Sequence, residues 1–445
     1  MARTAAPALP LRGPFGHLVA ATGASNLADG LLVVGVPLLA VTLTRSPADV
    51  ALLSAAVTLP WLLLALHAGV LVDRHDRARI LAVASAGRAT LLAVAAAAAA
   101  SGTLSVPALL TLLLLVGTAE VFSDSAAGAL VPAVVPREHL GAANGRLLGI
   151  QQLANAFLGG PLAGPLVALG GGWLFGAPAT LFAVATALTL RGLRGVGPAT
   201  GDRTTPSPRT SMRSEVAEGV RFLWSHPVLR PLVIGSTVLN FASTAYFAVF
   251  VLWVVGPGSA VGLDPALYGT LTMGLAAGAL AGAACADRLR RRVGEARLIG
   301  STWLSNGVLL AVPVLVPHVA AITVTFALVG FTTMVGNVTS QSMRQRLVPG
   351  RLLGRVGGAA RTLAYGSIPL GAAAGGALGE AAGLVAVFVT AVVLSTALAA
   401  WVLHAVPQRA IDDADAALRQ AAAPTPVSAT APSSTVPAVP AGAAP

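Results

Sequence analysis

Apolar runs of about 20 residues, separated by short charged, Gly or Pro punctuation, recur about twelve times along this chain. A run of that length crosses the hydrocarbon of a bilayer only as a helix, because open sheets and lipid-exposed loops leave backbone amides unsatisfied there. The first six runs lie near 16–43, 49–72, 79–100, 106–132, 147–169 and 173–194. Six more lie near 229–255, 266–287, 296–316, 319–343, 358–380 and 383–405. With 55% hydrophobic and 10% charged residues among 445, and a mean hydropathy of +0.79, no water-soluble core can bury this surface. The short alternating segments of a β-barrel are absent.

The formal charge of +11 would suit a nucleic-acid partner if the basic residues formed one soluble patch. They do not: all 28 are Arg, and they concentrate in every second loop, the pattern of a membrane protein's cytoplasmic side. Arg45 alone lies in a loop of the opposite side, so both termini are expected in the cytoplasm. Nucleic acid is excluded as a partner and the lipid bilayer takes its place. The absence of Lys beside abundant Ala, Gly and Pro is the composition of a GC-rich bacterial genome, which points to a bacterial plasma membrane. Cys285 is the sole cysteine, so neither an intramolecular disulfide nor a cysteine-based metal site can form. The first apolar run is far longer than a signal-peptide core and reads as an uncleaved first span.

Within this pattern the chain is expected to divide into a cytoplasmic N-terminal tail (1–15), a six-helix half (16–194), a linker with a surface helix (195–228), a second six-helix half (229–405) and a disordered tail (406–445). In the linker, Val216, Val220, Leu223 and Trp224 share one helical face. Two loop sequences recur at matching positions of the halves. Gly69 to Arg79 follows the second span as Ala283 to Arg292 follows the eighth, and Val135 to Gly141 follows the fourth as Val348 to Gly354 follows the tenth. Duplicated apolar bundles with charged hinges in equivalent loops are the architecture of secondary transporters, whose halves rock about a site between them.

The loop Gly69-Val70-Leu71-Val72-Asp73-Arg74-His75-Asp76-Arg77-Ala78-Arg79 resembles the signature of the major facilitator superfamily, Gly-x-x-x-Asp-Arg-x-Gly-Arg-Arg. Gly69, Asp73, Arg74 and Arg77 match, while Asp76 and Ala78 depart from it. With Glu218 to Pro227, the Asp-Arg-x-Asp-Arg form resembles the branch holding macrolide and siderophore exporters. The resemblance spans roughly residues 15–405 and implies an all-α major facilitator fold of about twelve transmembrane helices in two pseudo-symmetric halves. It also implies a conformational latch: Gly69 would permit close helix approach and Asp73 would face a helix N-terminus across the halves, with Asp287 and Arg288 as the second copy. The competing role for these charges is to fix topology at the lipid surface. Gly160-Pro161-Leu162-Ala163-Gly164 in the fifth span resembles the superfamily's antiporter motif, although such glycines and prolines also serve ordinary helix packing.

Ionisable groups inside the hydrocarbon are costly and therefore candidates for function. Asp29 lies roughly 20 Å into the first span, Glu120 sits at similar depth in the fourth, and Asp124 is one turn away on the same face. These carboxylates are the proton-coupling candidates, against the alternative of polar groups satisfied by a neighbouring backbone or water. Arg88 in the third span reaches the depth of Asp124, where it either pairs with that residue or snorkels to the interface. The superfamily's usual Arg in the fourth span is absent. The amides Asn26, Gln151, Gln152, Asn155, Asn240, Asn337 and Gln341 suit a cavity wall, with interhelical hydrogen bonding as the competing role.

No nucleophile elbow, metal-binding histidine pair or phosphate loop is present, so an enzyme and a bound cofactor are not expected. Short outer loops argue against a receptor, and duplicated halves argue against a passive channel. The reading that remains is a secondary transporter, functional as a monomer, exporting an amphipathic small molecule in exchange for protons. A lysophospholipid or nutrient transporter of the same fold is the alternative.

Overall fold

The computed structural model describes residues 13–196, 212–349 and 352–422. The first half comprises α1 (Pro14–Leu43), α2 (Pro47–Arg74), α3 (Arg77–Ala100), α4 (Val106–Val134), α5 (Leu140–Gln152), α6 (Gly160–Ala168) and α7 (Gly171–Gly192). A π-helical segment, Leu153–Gly159, joins α5 to α6, so the two form one interrupted span. After the linker helix α8 (Met212–Ser225), the second half comprises α9 (Leu229–Val254), α10 (Tyr268–Val293), α11 (Glu295–Leu309) with the single turn α12 (Val312–Leu315), α13 (Val319–Leu347), α14 (Leu353–Ala382) and α15 (Leu384–Ala405). A last helix, α16, covers Gln408–Ala422. Ten spans among the described residues are long and apolar enough to cross a membrane. The interrupted α5–α6 run and α14 pack into the same bundle and complete twelve crossings in two halves.

Local chemistry sets the helix ends. Ser46 accepts from Asp49 N at 3.3 Å ahead of Pro47, and Asp76 accepts from Arg79 N at 3.1 Å, so the residue that departs from the signature loop caps α3. Gly170 and Gly383 make the equivalent turn between the last two spans of each half, at φ of 114° and 84°, where a side chain would be strained.

The apolar core shows how the halves meet. On the face that carries the α1–α2 turn, one continuous cluster runs from Leu38 and Val50 of the first half to Phe250 and Phe388 of the second. On the face that carries the linker it splits, with Leu81 and Leu130 in one cluster and Leu232 and Met343 in another. The halves are therefore joined at the α1–α2 face and separated at the linker face. Ser46 donates to Glu380 at 2.8 Å and Arg45 donates to the Val255 carbonyl at 3.4 Å, both across the halves. Glu380 also accepts from Ala48 N at 3.5 Å, which sets a carboxylate at the N-terminus of α2.

Two expectations need correction. Residues 408–422 are helical although the composition beyond 405 predicts disorder. The spacing of Ile411 and Ala414 gives α16 an apolar face, Ile411 is fully buried, Gln408 accepts from Ala296 N at 3.1 Å, and Asp415 pairs with Arg346 at 3.3 Å. Arg346 also pairs with the buried Glu295 at 2.6 Å, and Glu295 with Arg290 at 3.1 Å, so α16 is tied to the ends of α10, α11 and α13. In α8, Leu223 is buried and Val220 half-buried, but Trp224 is exposed and leaves the shared face; Glu218 pairs with Arg355 of α14. Residues 1–12, 197–211 and 423–445, and the side chain of Val216, lie outside the described residues.

Truncating a buried Ile removes about 2–5 kcal/mol where the site cannot collapse. Ile411→Ala is accordingly expected to lower amide exchange protection across 408–422 by about that amount and leave the spans unchanged, measured by hydrogen exchange in detergent.

Candidate functional site

Four helices of the first half bring one cation and two carboxylates together. Arg88 of α3 is only 1% exposed, and its Nη2 donates to Asp29 of α1 and, at 3.4 Å, to Glu120 of α4. Its guanidinium lies 4.0 Å from the centroid of the Phe182 ring on α7. Snorkelling is thus ruled out, and the hydrogen bonds of Arg88 go to Asp29 and Glu120 where the sequence suggests Asp124. The residues Glu120 and Asp124 share a face of α4 one turn apart, and the reach of Arg88 selects the deeper one. Among the described residues the Nε and Nη1 atoms of Arg88 have no hydrogen-bond partner.

This cluster forms one wall of a cavity of about 620 Å³ between the halves. The second half supplies an opposing wall that includes Phe247, Tyr268, Leu275 and Phe326. Phe247 and Phe326 meet edge to face with centroids 5.7 Å apart, and Tyr246 and Phe250 stack behind them at 5.4 Å. One wall carries the charged cluster among aliphatic side chains, and the other carries the aromatic rings. Such a space accommodates a molecule with a polar end and an apolar body.

The amides divide. Asn26 and Asn155 line this cavity, and Gln151 with Asn26 lines a smaller one beneath it. Asn240 donates to the Ala364 carbonyl at 3.2 Å, the interhelical role rather than the cavity role. Gln152, Asn337 and Gln341 are exposed and line neither cavity, and Gln341 accepts from Arg344.

At the linker face Arg77 donates to the Ala129 carbonyl of α4 at 3.1 Å and Arg74 is exposed; the side chain of Asp73 lies outside the described residues. A Cβ on Gly69 would meet nothing within 4 Å, so no helix approaches it while the linker face is separated. In the second copy Asp287 is 67% exposed and pairs with Arg290 at 3.2 Å and Arg291 at 3.6 Å, one turn along its own helix.

Pro161 lacks the N–H that would continue the helical ladder, and the π-helical segment ends just before it, with Gly160 N bonding to the Asn155 carbonyl five residues back. Beyond this irregularity, a Cβ on Gly164 would meet Ala266 O at 2.5 Å, and Gly160 faces Thr272 and Gly269 of α10. The motif therefore forms a backbone-to-backbone contact that joins the halves at the α1–α2 face. Glu380 and Phe182 escape the sequence reading. Glu380 falls at the end of its apolar run, where an acid passes as interfacial, and Phe182 is one apolar residue among many until Arg88 is placed beneath it.

A family model described as transmembrane secretion effector matches residues 5–435. A multidrug efflux pump, Tap, of Mycobacterium tuberculosis is 31% identical over 387 residues, covering 85% of this chain and 90% of that protein. An enterobactin exporter, EntS, of Salmonella typhimurium is 27% identical over 341 residues, covering 74% and 77%. Among solved structures, the nucleoside transporter NupG superposes with a TM-score of 0.67 at 13% identity, over 88% of this chain and 99% of that one. A bacterial homologue of the iron transporter ferroportin in its inward-facing state gives 0.67 at 16% identity, over 87% and 98%. These two structural likenesses carry the fold alone.

Removing one partner of a buried ion cluster strands the other charges and costs about 3–5 kcal/mol. Arg88→Met is expected to destabilise the detergent-solubilised protein by about that amount, and Asp29→Asn added to it to recover part of the loss, read from the unfolding midpoints of the two variants and their double mutant.

Proposed function

The chain belongs to the transmembrane secretion effector family of major facilitator efflux transporters, a non-enzymatic family, and from that premise we propose that it exports an amphipathic small molecule, a drug, natural product or siderophore, in exchange for protons. The observation that carries this reading is the Arg88–Asp29–Glu120 cluster facing an aromatic wall across a cavity of about 620 Å³. That volume lies in the range of drug-sized sites, and the wall chemistry suits a molecule with a polar end and an apolar body. Relatives that handle multiple drugs and enterobactin support the substrate class.

Coupling follows from charge. One guanidinium faces Asp29, Glu120 and, one turn off, Asp124, for a formal charge of −2 when all are ionised, so binding of a proton and a second change of charge in the cavity are linked events. Uphill export needs such a linked ion, since substrate binding alone drives nothing, and the chain has no nucleotide-binding loop. The Arg distribution supports a cytoplasmic linker face and cytoplasmic termini, which makes the described state one that admits substrate from the cytoplasm. Rocking about the Gly160–Gly164 contact would open the α1–α2 face, and Gly69, Asp73 and the arginines beside them would then latch the linker face.

In energised inverted vesicles, Asp29→Asn or Glu120→Gln is expected to abolish substrate-induced proton release while substrate binding is retained. Full proton-coupled transport by both variants, or wild-type export that survives an uncoupler, defeats the antiport reading.

Orientation and latch share one experiment. In a Cys285→Ser background, His75→Cys is expected to react with reagents in the cytoplasm and Thr103→Cys with external ones, both positions being exposed. Protection of the cysteine at position 75 under conditions that open the α1–α2 face supports the latch; unchanged reactivity leaves the charges a purely topological role.

A further inference from the structure

Beneath the central cavity, a second one of about 260 Å³ lies wholly within the first half, between α1, α3, α4, α5 and α7. On each helix that bears a member of the charged cluster, its lining falls on the linker-face side of that member: Thr22 to Asn26 before Asp29, Ser85 before Arg88, and Ser123 to Val131 after Glu120. Ser85, Ser123, Asn144, Gln151 and Thr189 contribute polar groups to its walls, and Asp124, Gly128, Asn144 and Leu148 of the lining are exposed. Ser85 lines the space one turn from Arg88 and is 1% exposed. At about 30 Å³ per molecule a space of this size holds several waters, and its polar side chains offer them partners. Asn26 and Asp124 belong to the walls of both cavities, so these two residues stand between the two spaces.

We propose that this cavity is a hydrated proton exit, with Asp124 relaying the proton from the charged cluster to the linker face along a path separate from the cleft that admits substrate. The inference rests on the antiport reading and deepens it. In the described state substrate must enter from the linker face while a proton leaves towards the same face. An amphipathic molecule in the cleft stands in that way, whereas the second space is lined by helices of the first half alone. The transfer balances: a carboxyl of Glu120 gives its proton to the Asp124 carboxylate one turn below, Asp124 passes it to water, and Glu120 is left ionised beside Arg88. The charged groups around Asp124 are Asp29, Arg88 and Glu120 from α1, α3 and α4; α5 and α7 supply uncharged Asn144, Gln151 and Thr189.

Gly128 lines only the lower cavity, and a Cβ there would meet nothing within 4 Å, so Gly128→Leu fills the space without displacing backbone. The expected result is a tenfold or greater slowing of substrate-induced proton release in energised vesicles. Exchange of labelled for unlabelled substrate, which requires no net proton transfer, should stay within about twofold of wild type. Asp124→Asn, which keeps shape and removes the titrating group, is expected to show the same loss of proton release and serves if the larger side chain impairs insertion. Proton release at the wild-type rate in both variants overturns the path, as does an equal fall of exchange and proton release in Gly128→Leu. Absence of substrate-induced proton release from the wild-type protein overturns the antiport reading, and the path with it.

Discussion

A guanidinium in the middle of a bilayer has to bring its own counter-charges, and the arrangement of the first half answers that demand. Arg88 is 1% exposed, so neither lipid nor bulk water solvates it. Asp29 and Glu120 approach from α1 and α4 and the Phe182 ring from α7, and these contacts fix how four helices of the half are rotated towards one another. The satisfaction is incomplete, since both carboxylates share Nη2 while Nε and Nη1 have no hydrogen-bond partner among the described residues. A cluster with spare donors and surplus acids is suited to rearrangement in a way that a fully bonded pair is not.

The contact between the halves is of a different kind. At the α1–α2 face it is made by backbone approach at Gly160, Gly164, Gly269 and Ala266, by one continuous apolar cluster, and by Glu380 at the N-terminus of α2. Without large side chains interlocked at the glycine contact, the surfaces can part at the cost of dispersion and a few polar contacts. The linker face shows the other limit, with separate cores in each half and open space beside Gly69. The two ends of the molecule thus differ in closure although they are built from duplicated loops.

Departure from the duplication is also informative. In the first half the signature loop is tied by Asp76 at the start of α3 and by Arg77 on α4. The second half uses longer arginine runs instead, and Glu295 gathers Arg290 and Arg346 beneath α16. Glu295 is buried, which it tolerates because two guanidinium groups and a helix N-terminus surround it. The C-terminal helix packs on α11 and α13 of the second half.

Membrane insertion, helix count and the duplication were legible in the residues, because hydrocarbon thickness and backbone hydrogen bonding allow an apolar run of about 20 residues one solution. The depth of Asp29, Glu120 and Arg88 followed from the helical rise, which is a local quantity. Their partners did not, since helix rotation and crossing are set by packing among distant segments: Arg88 binds Asp29, 59 residues away, where depth alone suggested Asp124. The same limit hid Glu380 and Phe182 and scattered the seven amides among cavity, helix contact and surface. Composition misled at α16 because an Ala-rich tail with few apolar residues reads as unfolded, and only the docking site formed by α11 and α13 gives Ile411 somewhere to be buried. The sequence by itself determined that the chain spans a bilayer as two like bundles with charges at the midplane of the first; tertiary packing decided which charges meet, which face is closed and where the cavities lie, because those depend on the relative rotation of helices that no local pattern encodes.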